Sequence, residues 1–91
     1  MMTLLGLKDP DGNTFLHVSV LDEVPELVYY FLIKGIKPTS QNNDGDTPLH
    51  LAIRNHNNNI IDILLQFGAK VDICNKMNEN SVNVASVKIL Y

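Results

Sequence analysis

Basic charge is scarce in this chain. Seven Lys and Arg stand against ten Asp and Glu, for a formal net charge of -3, and no cluster of Lys or Arg forms a stripe. Affinity for a phosphate backbone is built from such clusters, so the pattern argues against nucleic acid as a partner. Long apolar runs are missing too. The longest spans about seven residues, at 27–33, against the ~20 that a membrane-spanning helix needs. The start, Met1-Met2-Thr3-Leu4-Leu5-Gly6-Leu7-Lys8, has neither the basic leader nor the apolar length of a secretory signal. The expected location is therefore cytoplasmic, with the nucleus open as well, and no membrane partner is expected.

Cysteine occurs once. Cys74 cannot close an internal disulfide, which agrees with a reducing compartment. Lying in the strand-like stretch Val71-Asp72-Ile73-Cys74, it is expected to be a small, semi-buried side chain. The spacings that carry chemistry are absent as well. His56, Asp72 and Cys74 include no Cys-x2-Cys or His-x3-His pair of the kind that marks zinc sites. No Gly-x-Ser-x-Gly elbow presents a nucleophile, and Gly12, Gly35, Gly45 and Gly68 are too dispersed for a phosphate-binding loop. No catalytic residue, metal or cofactor is expected, and an enzyme is disfavoured.

What is present is an internal repeat. Thr47-Pro48-Leu49-His50-Leu51-Ala52 has a weaker copy 33 residues upstream, Thr14-Phe15-Leu16-His17-Val18-Ser19. The same register maps Asp11-Gly12 onto Asp44-Gly45, Lys34-Gly35 onto Phe67-Gly68, and the apolar run at 27–33 onto 60–66. Self-similarity at such a period predicts stacked units, each touching only its neighbours. Ninety-one residues then form one domain: an extension at 1–8, a first unit at 9–41, a second at 42–74 and a degenerate partial third at 75–91.

Local signals predict turn, helix, turn, helix and loop within each unit. Asp-Gly at 11–12 and 44–45 suits a tight turn with positive φ. Thr47 followed by Pro48 reads as an N-cap and first helical residue, since the hydroxyl accepts an unpaired N–H and proline has none to waste. Leu49, Ala52 and Ile53 then share one side of a helix. The second helices are expected over roughly 25–34 and 58–66, stopped by Gly35 and Gly68 in the left-handed conformation. Pro25 fits only in the first turn of its helix. In the third unit Asn78 stands for Gly45 and Asn80 for Thr47, and the helix it opens is expected from Ser81 to about Leu90. Its apolar face, Val82, Val84, Val87, Ile89 and Leu90, would be partly covered at best. Two full units and part of a third are at or below the ~3 needed for independent stability, so marginal stability, self-association, a bound partner or further flanking units are expected.

The segment Asp44-Gly45-Asp46-Thr47-Pro48-Leu49-His50-Leu51-Ala52 closely resembles the ankyrin repeat, over about residues 9–76. The resemblance implies an all-α solenoid of two full helix-turn-helix repeats plus a partial third. It also implies that Thr14/His17 and Thr47/His50 are structural, bonding within and between units. This agrees with their placement, because two His 33 residues apart, each inside a repeated hexamer, cannot share one helix face. Departures from the family pattern are Phe15 for proline, Ser19 for alanine, and His56 where glycine is usual between the helices.

The family's partner-binding surface is concave, made of hairpin tips and the exposed side of each first helix. Carried over, it comprises Asp11, Asn13, Leu21 and Asp22 in the first unit, and Asn43, Asp44, Asp46, Arg54 and Asn55 in the second. The third adds Met77, Glu79 and Lys88. Asp11, Asp22, Asp44, Asp46 and Glu79 bias this face towards negative charge, whereas Lys34, Lys37 and Lys70 lie away from it. A basic peptide or loop is the expected partner. The opening Asp9-Pro10-Asp11-Gly12-Asn13-Thr14-Phe15-Leu16-His17 is similar to the first repeat of IκB-type inhibitors of Rel/NF-κB transcription factors, including their small viral relatives. That likeness implies an inhibitor covering a basic localisation segment. The alternative is an adaptor or scaffold, one end of a longer array.

Overall fold

In the computed structural model, residues 6–83 are described. Four helices follow in order: α1 (Phe15–Leu21), α2 (Pro25–Ile33), α3 (Pro48–Arg54) and α4 (Asn58–Gln66). Ser81, Val82 and Asn83 are helical at the start of the third unit. No strand occurs among the described residues, and the architecture is the all-α solenoid expected. The continuation of the third helix beyond 83, with Val84, Val87, Lys88, Ile89 and Leu90, lies outside the described residues.

Each first helix is opened by a capping box. The Thr14 hydroxyl accepts the His17 N–H while the His17 ring accepts the Thr14 N–H, and Thr47 and His50 repeat the arrangement. Two otherwise unpaired N–H groups are satisfied reciprocally at each site, which fixes where α1 and α3 begin. Phe15 takes the place of Pro48 without moving that boundary.

The four helices α1 to α4 end in the same way. The N–H groups of Glu23 and Val24 return to the carbonyls of Val20 and Ser19. The pairs Gly35/Ile36, His56/Asn57 and Gly68/Ala69 bond their helices identically. This double closure requires a left-handed residue, and φ is 57° at Glu23, 105° at Gly35, 57° at His56 and 93° at Gly68. His56 thus takes the glycine conformation at a steric cost. Glu23, one period earlier, does the same, although nothing in its residue type signals it.

Within a unit the two helices pair as a hairpin; between units α1 packs on α3 and α2 on α4. The core runs through both: Leu16, Val20, Val28 and Leu32 from the first unit, Leu49, Ala52, Ile60 and Leu64 from the second. Ser19, where the second unit has Ala52, is buried but satisfied, its hydroxyl donating to the Leu16 carbonyl at 2.8 Å. The stretch 71–74 is irregular rather than strand-like, and Cys74 is exposed. This corrects the semi-buried expectation: among the described residues no strand pairs with it.

Candidate protein-binding surface

The tips between helix hairpins are built from one device used three times. The side-chain oxygen of Asp9 accepts the N–H groups of Asp11 and Asn13 at 2.9 and 2.8 Å. Asn42 does the same for Asp44 and Asp46, both at 3.0 Å, and Asn75 for Met77 and Glu79, both at 2.9 Å. A side chain that ties down the backbone two and four residues on sets each tip locally.

Neighbouring tips are then bonded by exact translation of the pattern. Asn43 N–H donates to the Asp11 carbonyl and Lys76 N–H to the Asp44 carbonyl, each at 2.9 Å. The Asn42 amide donates to Asn13 Oδ1, and the Asn75 amide to Asp46 Oδ1, again each at 2.9 Å. The tips approach so closely that a Cβ on Gly45 would sit 2.8 Å from Lys76 N and 2.9 Å from Asn75 Cα.

The buried histidines fasten the same joint from inside. Thr14 N–H donates to His17 Nδ1 at 3.1 Å, so Nδ1 is bare. Nε2 lies 2.9 Å from the Asp46 carbonyl oxygen, which can only accept, so Nε2 carries the proton. His50 repeats this between Thr47 N–H and the Glu79 carbonyl, at 3.0 and 2.9 Å. Burial holds the His17 imidazole below its ordinary pKa, against the opposing pull of its bond to Asp46. Thr14, His17, Thr47 and His50 thus bond within their own units and, through the two rings, to the unit that follows.

Among the residues expected on the binding face, Asp11, Asn43, Asp44 and Met77 lie exposed on the tips, and Leu21, Asp22 and Asn55 lie exposed at the ends of the first helices. Asn13 and Asp46 do not belong with them: they are 8% and 4% exposed. Their side chains face the next unit, where Asn42 and Asn75 bond them, so both are tied into the stack instead of lying exposed with the others. Asp46 is further held by Arg54, whose guanidinium donates to both carboxylate oxygens at 2.7 and 3.1 Å. Burial alone would raise the Asp46 pKa, but the bonds from Arg54 and Asn75 outweigh it and hold the carboxyl below the usual range. The bond to Asp46 correspondingly raises Arg54. Glu79 stands 3.5 Å from the same guanidinium and is half-buried. Asp44, Asp46, Arg54, Met77 and Glu79 thus meet, with Asn75 and Lys76, around one cleft of about 470 Å³ between the second and third units. Leu21, in Arg54's place, leaves the first unit without that ion pair.

The bracing residues Asp9, Asn42 and Asn75 were not singled out by sequence reasoning. Their signal was available in the 33-residue register itself, which aligns three short acceptor side chains one period apart. Among the described residues no group of three His, Cys, Asp or Glu could hold a metal ion, and no helix is long and apolar enough to cross a membrane.

Helix hairpins stacked by a translated ladder of tip bonds define a repeat solenoid of the class that presents tips and first helices as a continuous surface. A family model for ankyrin repeats, in three copies, matches residues 2–87. The chain belongs to the ankyrin repeat family, whose repeats form protein–protein interaction modules. It is 40% identical over 70 residues to an ankyrin repeat protein of Acanthamoeba polyphaga mimivirus, covering 76% of this chain and 17% of that one. Against an ankyrin repeat protein of fowlpox virus the identity is 41% over 71 residues, covering 77% and 21%. A Rickettsia felis relative is 36% identical over 76 residues, covering 71% and 32%. The chain therefore spans a third or less of the length of these relatives.

Proposed function

We propose that this chain is a non-catalytic module that takes a basic segment of a protein partner along its tips. The observation that carries the reading is the pair Asp11 and Asp44, equivalent by translation, both exposed and neither engaged in an ion pair among the described residues. Adjacent tips are joined by a backbone bond, so the two carboxylates form a short fixed row that continues to Met77, which is 77% exposed. A segment with cationic side chains against Asp11 and Asp44 and an apolar one against Met77 fits that order. Electrostatic complementarity of this kind chiefly raises the association rate and selects the partner.

The most specific form of the reading is an IκB-like inhibitor acting on a basic segment of a Rel/NF-κB-type factor, which the acidic tips and the opening motif support. A second reading, an adaptor within a longer array, is favoured by the greater length of the relatives. The test is binding of a Lys/Arg-rich localisation segment from a Rel-type factor by wild type and by the Asp11→Asn/Asp44→Asn double variant. Asp46 is left intact because changing it would disturb the ladder. Weakened binding that is also weakened by salt supports the proposal. Equal binding by both proteins removes the acidic tips from the mechanism, and no binding by either removes the Rel-type reading.

A further inference from the structure

Two kinds of exposed apolar side chain occur on the second helices. Leu27 is 43% exposed, but its counterpart one period on, Ile60, has a unit before it and is 0% exposed; Leu65 is 45% exposed, but its counterpart Leu32 has a unit after it and is 6% exposed. Stacking covers these positions. Tyr29 and Ile33 are of the other kind. They stay 51% and 55% exposed although the second unit packs against α2. Their counterparts on α4, Asp62 and Gln66, stay exposed although the first unit packs against that helix. The stripe therefore lies between the two stacking sides, on the outer face of the second helices, and a unit on either side leaves it in solvent. Because α4 carries Asp62 and Gln66 at these positions, the fold gives no reason for Tyr29 and Ile33 to be apolar. The two side chains lie one turn apart on the same face. The Tyr29 ring meets Phe67 edge-on with centroids 5.6 Å apart, so the apolar patch runs across the joint to the end of α4. Contiguous exposed patches with aromatic centres mark interaction sites.

We infer that this outer face is a docking surface distinct from the tips, and that it takes an acidic amphipathic segment of a protein partner. The charge at its edge selects that occupant. Lys37 and Lys70 are equivalent by translation and both exposed, so they form a row just past the ends of α2 and α4. Lys34 adds a third cation, its Nζ 5.4 Å from the centre of the Tyr30 ring. None of the three makes an ion pair among the described residues, Asp72 included, two residues past Lys70. Glu26 and Asp62, the carboxylates of these two helices, sit at least one turn nearer the helix starts. An approaching segment thus meets apolar side chains along the face and three uncommitted ammonium groups at its end. Apolar residues one helical turn apart fit against Tyr29, Ile33 and Phe67, and carboxylates beyond them fit against Lys34, Lys37 and Lys70. An anionic membrane offers the same two chemistries, but the net charge of -3 and the exposed Glu26 and Asp62 on this side oppose it. The face is opposite in sign to the Asp11/Asp44 row, so the inference does not depend on what the tips bind.

Selection on the full chain from a random display library of peptides about 16 residues long, enough for about four helical turns, tests it. The expected result is enrichment of peptides that combine carboxylates with Leu, Phe or Trp. Their binding, read by fluorescence anisotropy, should weaken more than about tenfold in Tyr29→Asp/Ile33→Gln, the loss typical of central anchors. Lys37→Gln/Lys70→Gln should weaken it as well and flatten its salt dependence. Circular dichroism checks that the variants fold, and the exposed lysine positions carry the test alone should Tyr29→Asp/Ile33→Gln unfold. Asp11→Asn/Asp44→Asn should leave these peptides bound as tightly as by wild type. A library that yields no acidic, apolar binder overturns the inference, as does binding that neither outer-face variant weakens. Co-sedimentation with vesicles of phosphatidylcholine and phosphatidylserine that the outer-face variants abolish overturns it in favour of a membrane.

Discussion

Replacing Gly45 and Gly68 separately by alanine separates two costs that are usually measured together. Both glycines are left-handed, at φ of 79° and 93°, and alanine there costs about 1–2 kcal/mol in backbone strain. At Gly68 the added methyl meets nothing within 4 Å, so strain is the whole cost. At Gly45 the methyl would lie 2.8 Å from Lys76 N and 2.9 Å from Asn75 Cα, backbone atoms that cannot swing aside as a side-chain end would. The third tip must move, and the first bond lost is Lys76 N–H to the Asp44 carbonyl, which contributes about 0.5–1.5 kcal/mol. Gly45→Ala should therefore cost roughly 1.5–3.5 kcal/mol in all, against roughly 1–2 for Gly68→Ala. Urea unfolding followed by circular dichroism reads the difference. A lower denaturant slope in Gly45→Ala would indicate that the third unit has detached, since the slope follows the surface exposed. Equal losses within about 0.5 kcal/mol and equal slopes would refute the idea that tip contact couples the units.

His56→Gly should stabilise the protein by about 0.5–1 kcal/mol, because an exposed side chain at φ 57° gives way to the residue that prefers it; a lower urea midpoint would contradict this. For His17 the folded pKa lies below the ordinary 6.5, so the unfolded state binds more protons between the two values. Its contribution is complete above pH 6.5 and is lost as pH falls from there through the depressed folded value. The urea midpoint should fall from pH 7.5 to pH 5.5, and less so in His17→Gln; an equal fall in both would exclude His17 as the source. Arg54→Ala leaves a buried carboxylate with Asn75 as its remaining side-chain donor, at a cost of about 1–3 kcal/mol. The Asp46 carboxyl should then titrate at higher pH, as burial is left less opposed, and an unmoved carbon-detected NMR titration would count against the role given to Arg54.

Residues three or four apart determined much of this fold before any tertiary contact was known. The Thr47 N-cap, proline at 25 and 48 in first turns, and glycine at 35 and 68 after the last turns are each read from residue type within one helical turn, whereas the pairing of Thr14 with His17 and Thr47 with His50 was implied by the family resemblance. Capping bonds form between groups the backbone already holds close, so residue type suffices to place them. The same register made Asn78 legible as the counterpart of Gly45, and its φ is 62°.

Which polar side chains face outwards was decided only by stacking. Asn13 and Asp46 occupy tip positions as polar as Asp11 and Asp44, yet their bonds go to Asn42 and Asn75, 29 residues on. Likewise Phe15 and Pro48 are equivalent in sequence but differ in burial, because one has a unit before it and the other has none among the described residues. Burial depends on what the neighbouring unit places opposite a side chain, and that partner lies a whole period away, beyond what local spacing can specify.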